Sequence, residues 1–272
     1  MSMRRLAPAL AALSLLLGSC GGGDAQEALT DTAANLGKIR SGELTLELSF
    51  QARGTGKTGF TLDGPFSLEK GPLVAGRLDY TQLLGAQGSQ TATFVSTGQK
   101  ASVVVQGQPY ELPPELVSQL QAASTQLTAS GLSSLDVGRW FEDPELEDGG
   151  EVGGADTDLI RARLNVIAAV NTLLAVSSQL RGEGATPLSG DDEAQLQRAV
   201  KSASAEIWTG KDDRLLRKLD IAIDFNPQTA PERIRRVIGV TVHFVLAVSN
   251  PNEDVSVEAP AHALPYSELG SG

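Results

Sequence analysis

An α+β fold built on one antiparallel sheet is predicted by three observations. Apolar and polar residues alternate with period two in stretch after stretch between Glu43 and Ser249, the mark of strands wetted on one face. Most of these stretches follow one another through short Gly-rich turns, which gives a meander rather than strands alternating with helices. Helical spacing is confined to 24–39, 113–127, 165–180 and 190–203, segments placed to cover a sheet and not to thread between parallel strands.

The first nineteen residues stand apart from this pattern. Arg4 and Arg5 form a basic start and Leu6 to Leu17 is an apolar run too short to span a bilayer comfortably, so 1–19 is expected to be an export signal. It ends Leu17-Gly18-Ser19-Cys20, which resembles the lipobox of bacterial lipoproteins, where the cysteine is acylated (palmitate-type) and becomes the new N-terminus. Cys20 is the only cysteine of the chain and has no disulfide partner within it. Residues 20–23 are then an acylated tether, 24–258 a single domain and 259–272 a flexible tail.

Within the domain, Asp24 and Glu27 make a capping box for a helix running to about Ile39. The first strand sets Leu44, Leu46, Leu48, Phe50 and Ala52 against Glu43, Thr45, Glu47, Ser49, Gln51 and Arg53. A turn over 54–59 leads to a second strand carrying Phe60, Leu62, Phe66 and Leu68, with Pro65 marking a bulge or an edge. A third places Val74, Gly76, Leu78 and Tyr80 on one side, and further strands fall near 91–96 and 101–105. Pro113-Pro114 opens the second helix. After Trp140-Phe141 an acidic loop is expected over 142–154, then a strand with Ile160, Ala162 and Leu164 on one face, and two helices joined by a Gly/Pro/Ser linker.

The chain then reaches a hairpin with one dry side. A short strand with Trp208 passes through Gly210-Lys211-Asp212-Asp213 into a long one whose Leu215, Arg217, Leu219, Ile221, Ile223 and Phe225 share a face. The last long strand, 237–249, has Ile238, Val240, Val242, Phe244, Leu246 and Val248 on one side, and a short strand is expected at 255–258 in the irregular tail. A hairpin with such a face is marginal alone in water, so a covering layer or a ligand must complete it.

Composition and motifs argue against several functions. The chain holds 22 Lys and Arg against 33 Asp and Glu, and loss of Arg4 and Arg5 with the leader takes the formal charge from −11 to −13. Such a body is not expected to seek nucleic acid or anionic headgroups by charge, so covalent lipid would have to hold it at a membrane. His243 and His262 are the two histidines and stand in no triad or metal pattern. No catalytic residue, metal or cofactor is expected, and the protein is read as not an enzyme. Gly54-Thr55-Gly56-Lys57-Thr58 lacks the first glycine of a phosphate loop and is a hairpin turn. Asp143, Glu145, Glu147, Asp148 and Glu151 lack EF-hand spacing and are read as solvated acids. Arg233, Arg235 and Arg236 form a small basic cluster, read as paired with local carboxylates rather than with a lipid phosphate.

Trp140-Phe141-Glu142-Asp143-Pro144, Gly153-Gly154-Ala155-Asp156-Thr157, and Glu206-Ile207-Trp208-Thr209-Gly210-Lys211-Asp212-Asp213 with Leu216-Arg217 occur in an order that resembles the LppX/LprG-type bacterial lipoproteins and, more distantly, the LolA/LolB lipid carriers. The resemblance covers most of the mature chain and rests on the order of structural motifs. It implies a strongly curved antiparallel half-barrel with helices covering its concave face, and a hydrophobic cavity that takes acyl chains. Leu48, Phe50, Phe66, Leu78, Tyr80, Leu219, Ile221, Val242 and Phe244 are the expected lining.

The implied function is a lipoprotein tethered through Cys20 that binds lipid, glycolipid or lipoprotein acyl chains and carries them within the cell envelope. It would face outward from the plasma membrane, or sit on the periplasmic side of a membrane. The alternative is an envelope scaffold or stress-sensor module of the same fold that binds a protein partner and carries no lipid.

Overall fold

Twelve strands among the described residues join in one open sheet of order β12-β6-β5-β4-β3-β2-β1-β11-β10-β9-β8-β7. The computed structural model describes residues 22–51, 56–126, 137–180, 187–226 and 241–269. Two meanders make up the sheet. The first comprises β1 (Ser41–Gln51), β2 (Thr58–Ser67), β3 (Ala75–Leu84), β4 (Ser89–Ser96), β5 (Ala101–Val105) and β6 (Gln108–Glu111). The second comprises β7 (Phe141–Val152), β8 (Ala155–Leu164), β9 (Val200–Gly210), β10 (Leu216–Phe225) and β11 (Thr241–Ser249). They meet where β1 pairs antiparallel with β11, from Glu43↔Ser249 to Gln51↔Thr241. The α+β fold on one mostly antiparallel sheet that the alternation predicts is therefore present, and the open twelve-stranded sheet is consistent with the curvature that the resemblance implies; four α-helices accompany it among the described residues.

Three of the four helices gather at the second meander. The first, α1 (Gly22–Asn35), starts two residues before the expected box, and Asp24 lies in its first turn, where the helix dipole favours a carboxylate. Ala25, Ala28, Leu29 and Thr32 form its buried stripe, small enough to let the helix lie close on β7, β8 and β10. The Thr32 hydroxyl donates to the Ala28 carbonyl and lies 2.8 Å from the Thr209 hydroxyl of β9. The second helix, α2 (Pro114–Gln126), begins at the expected proline. Asn165 caps α3 (Val166–Leu180) through the Ala168 amide, and Ser189 caps α4 (Gly190–Ala199) through the Asp192 amide. Trp140 donates from Nε1 to Thr172 and so ties the start of β7 to α3.

Four expectations need correction. The acidic stretch 142–154 is not a loop but mostly β7, an edge strand interrupted by register shifts between Glu142 and Glu145 and between Asp148 and Gly150. Its charge is offset across the ladder: Arg161 pairs with Glu147 and Glu206, Arg163 with Asp143, and Lys211 with Asp148. Residues 200–203 belong to β9 and not to the preceding helix, because the chain turns extended at Val200. The strand expected at 255–258 lies instead at Leu264–Pro265 (β12), which pairs parallel with Tyr110 and Glu111 on the edge of β6, itself a strand not expected. In β10 a register shift at Arg217 sets Leu216, not Arg217, opposite the inward neighbour Thr209.

The C-terminal segment runs as a strap across the sheet's base. The base is the end of the sheet where β1, β3 and β5 begin, and the rim is the opposite end. From β11 the strap receives and gives hydrogen bonds beside β1 (Asn252 amide to Ser41 carbonyl, Arg40 amide to Asn252 Oδ1, Ser41 hydroxyl to Glu253 carbonyl) before reaching β6. Val255 is buried along the way. Cys20, Arg233, Arg235 and Arg236, Ala52 and Arg53 of the expected first strand, Gly54 and Thr55 of the turn after it and the 237–240 part of the last strand lie outside the described residues.

Candidate functional site: the inner sheet face

Cross-strand register lines the apolar residues up in rows on the face that the helices approach. One row runs Ile160, Ile207, Leu219, Leu246, Leu46, Leu62, Tyr80, and the next Ala162, Ala205, Ile221, Phe244, Leu48, Phe60. A third joins Ala203, Ile223, Val242 and Phe50. Seven of the nine expected lining residues stand in these rows: Leu48, Phe50, Tyr80, Leu219, Ile221, Val242 and Phe244. Phe66 and Leu78 share the face but lie nearer the base, packed into the core at 8% exposure each. The rows add Phe60, which stacks on Tyr80 with ring centroids 5.8 Å apart, and Leu62, Ile223 and Leu246. Only the register, not the alternation, distinguishes these from Phe66 and Leu78.

Burial along a row falls from one wing to the other. Ile160 and Ile207, under the helices, are 0% and 2% exposed, whereas Tyr80 at the far end is 40% exposed. Between them, at the centre of the sheet, Leu46, Leu48, Phe50, Phe60, Leu62, Val242, Phe244 and Leu246 are all half-buried. A core filled by its own side chains is most buried at the centre. Here the centre is looser than the wing.

The outer face of the same strands is polar and tightly paired. Lys57 and Ser49 donate to Glu47, at 2.6 and 2.8 Å, Lys218 reaches Asp220, and His243 Nε2 lies 2.7 Å from Asp220. Burial pushes the Glu47 and Asp220 carboxyls up, but the bonds from Lys57 and Ser49 to the first, and from Lys218 and His243 to the second, outweigh it and hold both below the usual carboxylate range. Both groups therefore stabilise the fold above the pH at which an unfolded carboxylate ionises, and that contribution is lost as pH falls through their depressed folded values. We expect the melting temperature to drop on acidification below about pH 4, and the drop to be smaller in Glu47→Gln and Asp220→Asn, as scanning calorimetry across pH will show.

Ser49 sits directly across from His243, yet it makes no nucleophile. Its hydroxyl is committed to Glu47 and its side chain is 2% exposed. His243 lies on the face opposite the apolar rows, so it serves the ladder rather than the floor of the groove.

The residues that carry the family resemblance close the base of the second meander. Gly153 and Gly154, both at positive φ, turn β7 into β8 beside Val248 and Arg217. The Lys211 amide donates to the Asp156 carbonyl, Arg214 pairs with Asp158 at 2.5 Å, and Asn35 of α1 donates to the Asp213 carbonyl. Arg217 is 5% exposed, bonded to Asp213 at 2.7 Å and to the Leu215 carbonyl, and its Nε has no acceptor among the described residues. Burial raises the Asp213 carboxyl, but the Leu215 amide and Arg217 hold it below its usual range.

No protein-family model matches the chain, and no curated protein matches it in sequence. Among solved structures, LprF from Mycobacterium bovis superposes with a TM-score of 0.51 at 13% identity, over 89% of this chain and 99% of that one. The Mycobacterium tuberculosis lipoprotein LppX gives 0.42 at 14% identity, over 87% and 99%. A LolA-superfamily protein from Nitrosomonas europaea gives 0.25 at 10%, over 85% and 94%. LprF is matched over nearly its whole length, and this chain shares its fold.

Proposed function

We propose that the inner sheet face binds acyl chains, and that the protein is an envelope lipoprotein, held through lipid on Cys20, which carries them. The observation that supports this is the half-buried centre: a long apolar floor on which Phe60, Leu48 and Phe244 lie side by side without being sealed by the helices. Each methylene laid there contributes about 0.8 kcal/mol, so a long chain is held without a strong polar contact. Among the described residues the rows hold no carboxylate, histidine, serine or cysteine, which fits a binding role. Among the described residues no helix is long and apolar enough to cross a membrane.

Native mass spectrometry of the full chain purified from its membrane tests both parts. The expected result is a protein beginning at an acylated Cys20 and carrying non-covalent lipid. An unmodified thiol sinks the tether, and an empty protein sinks the carrier reading in favour of a scaffold for a protein partner.

A further inference from the structure

The row that ends at Tyr80 is shut at one end and open at the other. On the second meander Ile207 and Ile160 belong to one buried cluster with Leu29 of α1 and Leu196 of α4. From Leu219 the row is half-buried through Leu246, Leu46 and Leu62, and it reaches the surface at Tyr80. These residues stand on the successive strands β10, β11, β1, β2 and β3. At about 4.8 Å per strand the half-buried run is about 19 Å long. Along the strands it is shorter: on β11 it extends from Val242 to Leu246 and stops at the buried Val248, about 14 Å at about 3.4 Å per residue. One leaflet of a bilayer's hydrocarbon, the depth of one acyl chain, is about 15 Å. Only the run across the strands takes such a chain whole.

We infer that a single acyl chain lies across the strands on this row, its methyl end at β10 against the sealed wing and its ester and headgroup at Tyr80, Gln82 and Gln90. This orientation rests on the acyl-chain reading and gives it a direction and a length. The sealed end suits a methyl group and not an ester, because Ile160, Ile207, Leu29 and Leu196 offer polar atoms no partner and burying such atoms unpaired is costly. The open end suits the ester. Tyr80 stacks its ring on Phe60 while 40% of the residue is exposed, the amphipathic character that favours a boundary between apolar and wet surroundings. Gln82 stands opposite Phe60, and Gln90 opposite Gln82, on the same face and both exposed. Their amides can donate to and accept from the oxygens of an ester, glycerol or headgroup. Ala92, opposite Tyr80, is the small neighbour that leaves room beside the ring.

Photo-crosslinking reads the direction. The full chain is incubated with vesicles of phosphatidylcholine in which one palmitoyl chain carries a diazirine, either at the methyl end or beside the carbonyl, then irradiated and mapped residue by residue by mass spectrometry. The methyl-end probe is expected to label Leu219, Ile223 and Leu246, and the carbonyl-end probe Phe60, Tyr80 and Ala92, so that moving the diazirine along the chain shifts the label from β10–β11 to β2–β4. The reverse pattern, the same residues labelled by both probes, or a carbonyl-end label at Phe50 and Val242, as a chain lying along the strands would give, overturns the orientation while upholding acyl binding. Labelling confined to residues off the rows, or no labelling, overturns both the orientation and the acyl-chain reading.

Discussion

Replacing Asp213 by alanine is expected to cost about 3 kcal/mol of folding stability, the low end for breaking a buried ion pair. The reason is asymmetric burial. Arg217 is almost fully enclosed, whereas the Asp213 side chain is 42% exposed, so removing the carboxylate strands a guanidinium whose Nε already lacks an acceptor. The same substitution frees the Leu215 amide, which Asp213 Oδ1 accepts at 2.9 Å. A loss of that size lowers the melting temperature by roughly 6–12 °C in a domain of this length. Arg217→Leu is expected to be milder, since Asp213 is left facing water. Urea titration of both variants checks the order, and equal effects would mean that the pair acts through geometry and not through the buried charge.

Val242→Trp is expected to empty the groove while sparing the fold. Val242 is half-buried between Phe50 and Ile223 on the inner face, so a larger ring enters ligand space rather than packed core. Displacing about three methylenes of a bound chain costs about 2.4 kcal/mol, roughly a fifty-fold loss of affinity. Ile221 is a less clean probe of the same floor. At 7% exposure, Ile221→Glu buries a carboxylate and is expected to destabilise the whole sheet. Lipid retained by purified Val242→Trp at the wild-type level, with an unchanged melting temperature, would show that the groove does not hold acyl chains.

The strands with one wet face were legible because alternation survives wherever one side is apolar, and β1, β8, β10 and β11 all keep it. The acidic edge strand was not, because its alternation is hidden by carboxylates whose partners, Arg161 and Arg163, lie on the next strand and become neighbours only through pairing. The strap was invisible for a related reason: side-chain and backbone bonds such as those of Asn252 and Ser41 hold it, and these leave no period in a sequence. For the site, parity was readable and depth was not. Alternation put Phe66 and Leu78 on the correct face, but only the register shows that they sit in the packed base while Phe60 takes their place beside Tyr80.

The pairing of β1 with β11 has a consequence for how the chain reaches this shape. Ser49 and His243 are partners in the ladder, so during synthesis β1 emerges almost two hundred residues before the strand that completes it. The first meander can form early, since its contacts are local, yet it waits with β1 as an unpaired edge carrying Leu44, Leu46, Leu48 and Phe50 on one side. Closing so long a loop is slow, and an apolar edge held open in the meantime is a template for pairing with other chains. A holdase that shields β1 until β11 arrives should therefore raise the yield of native protein more than one acting on the second meander, whose β7 is guarded by its own charges.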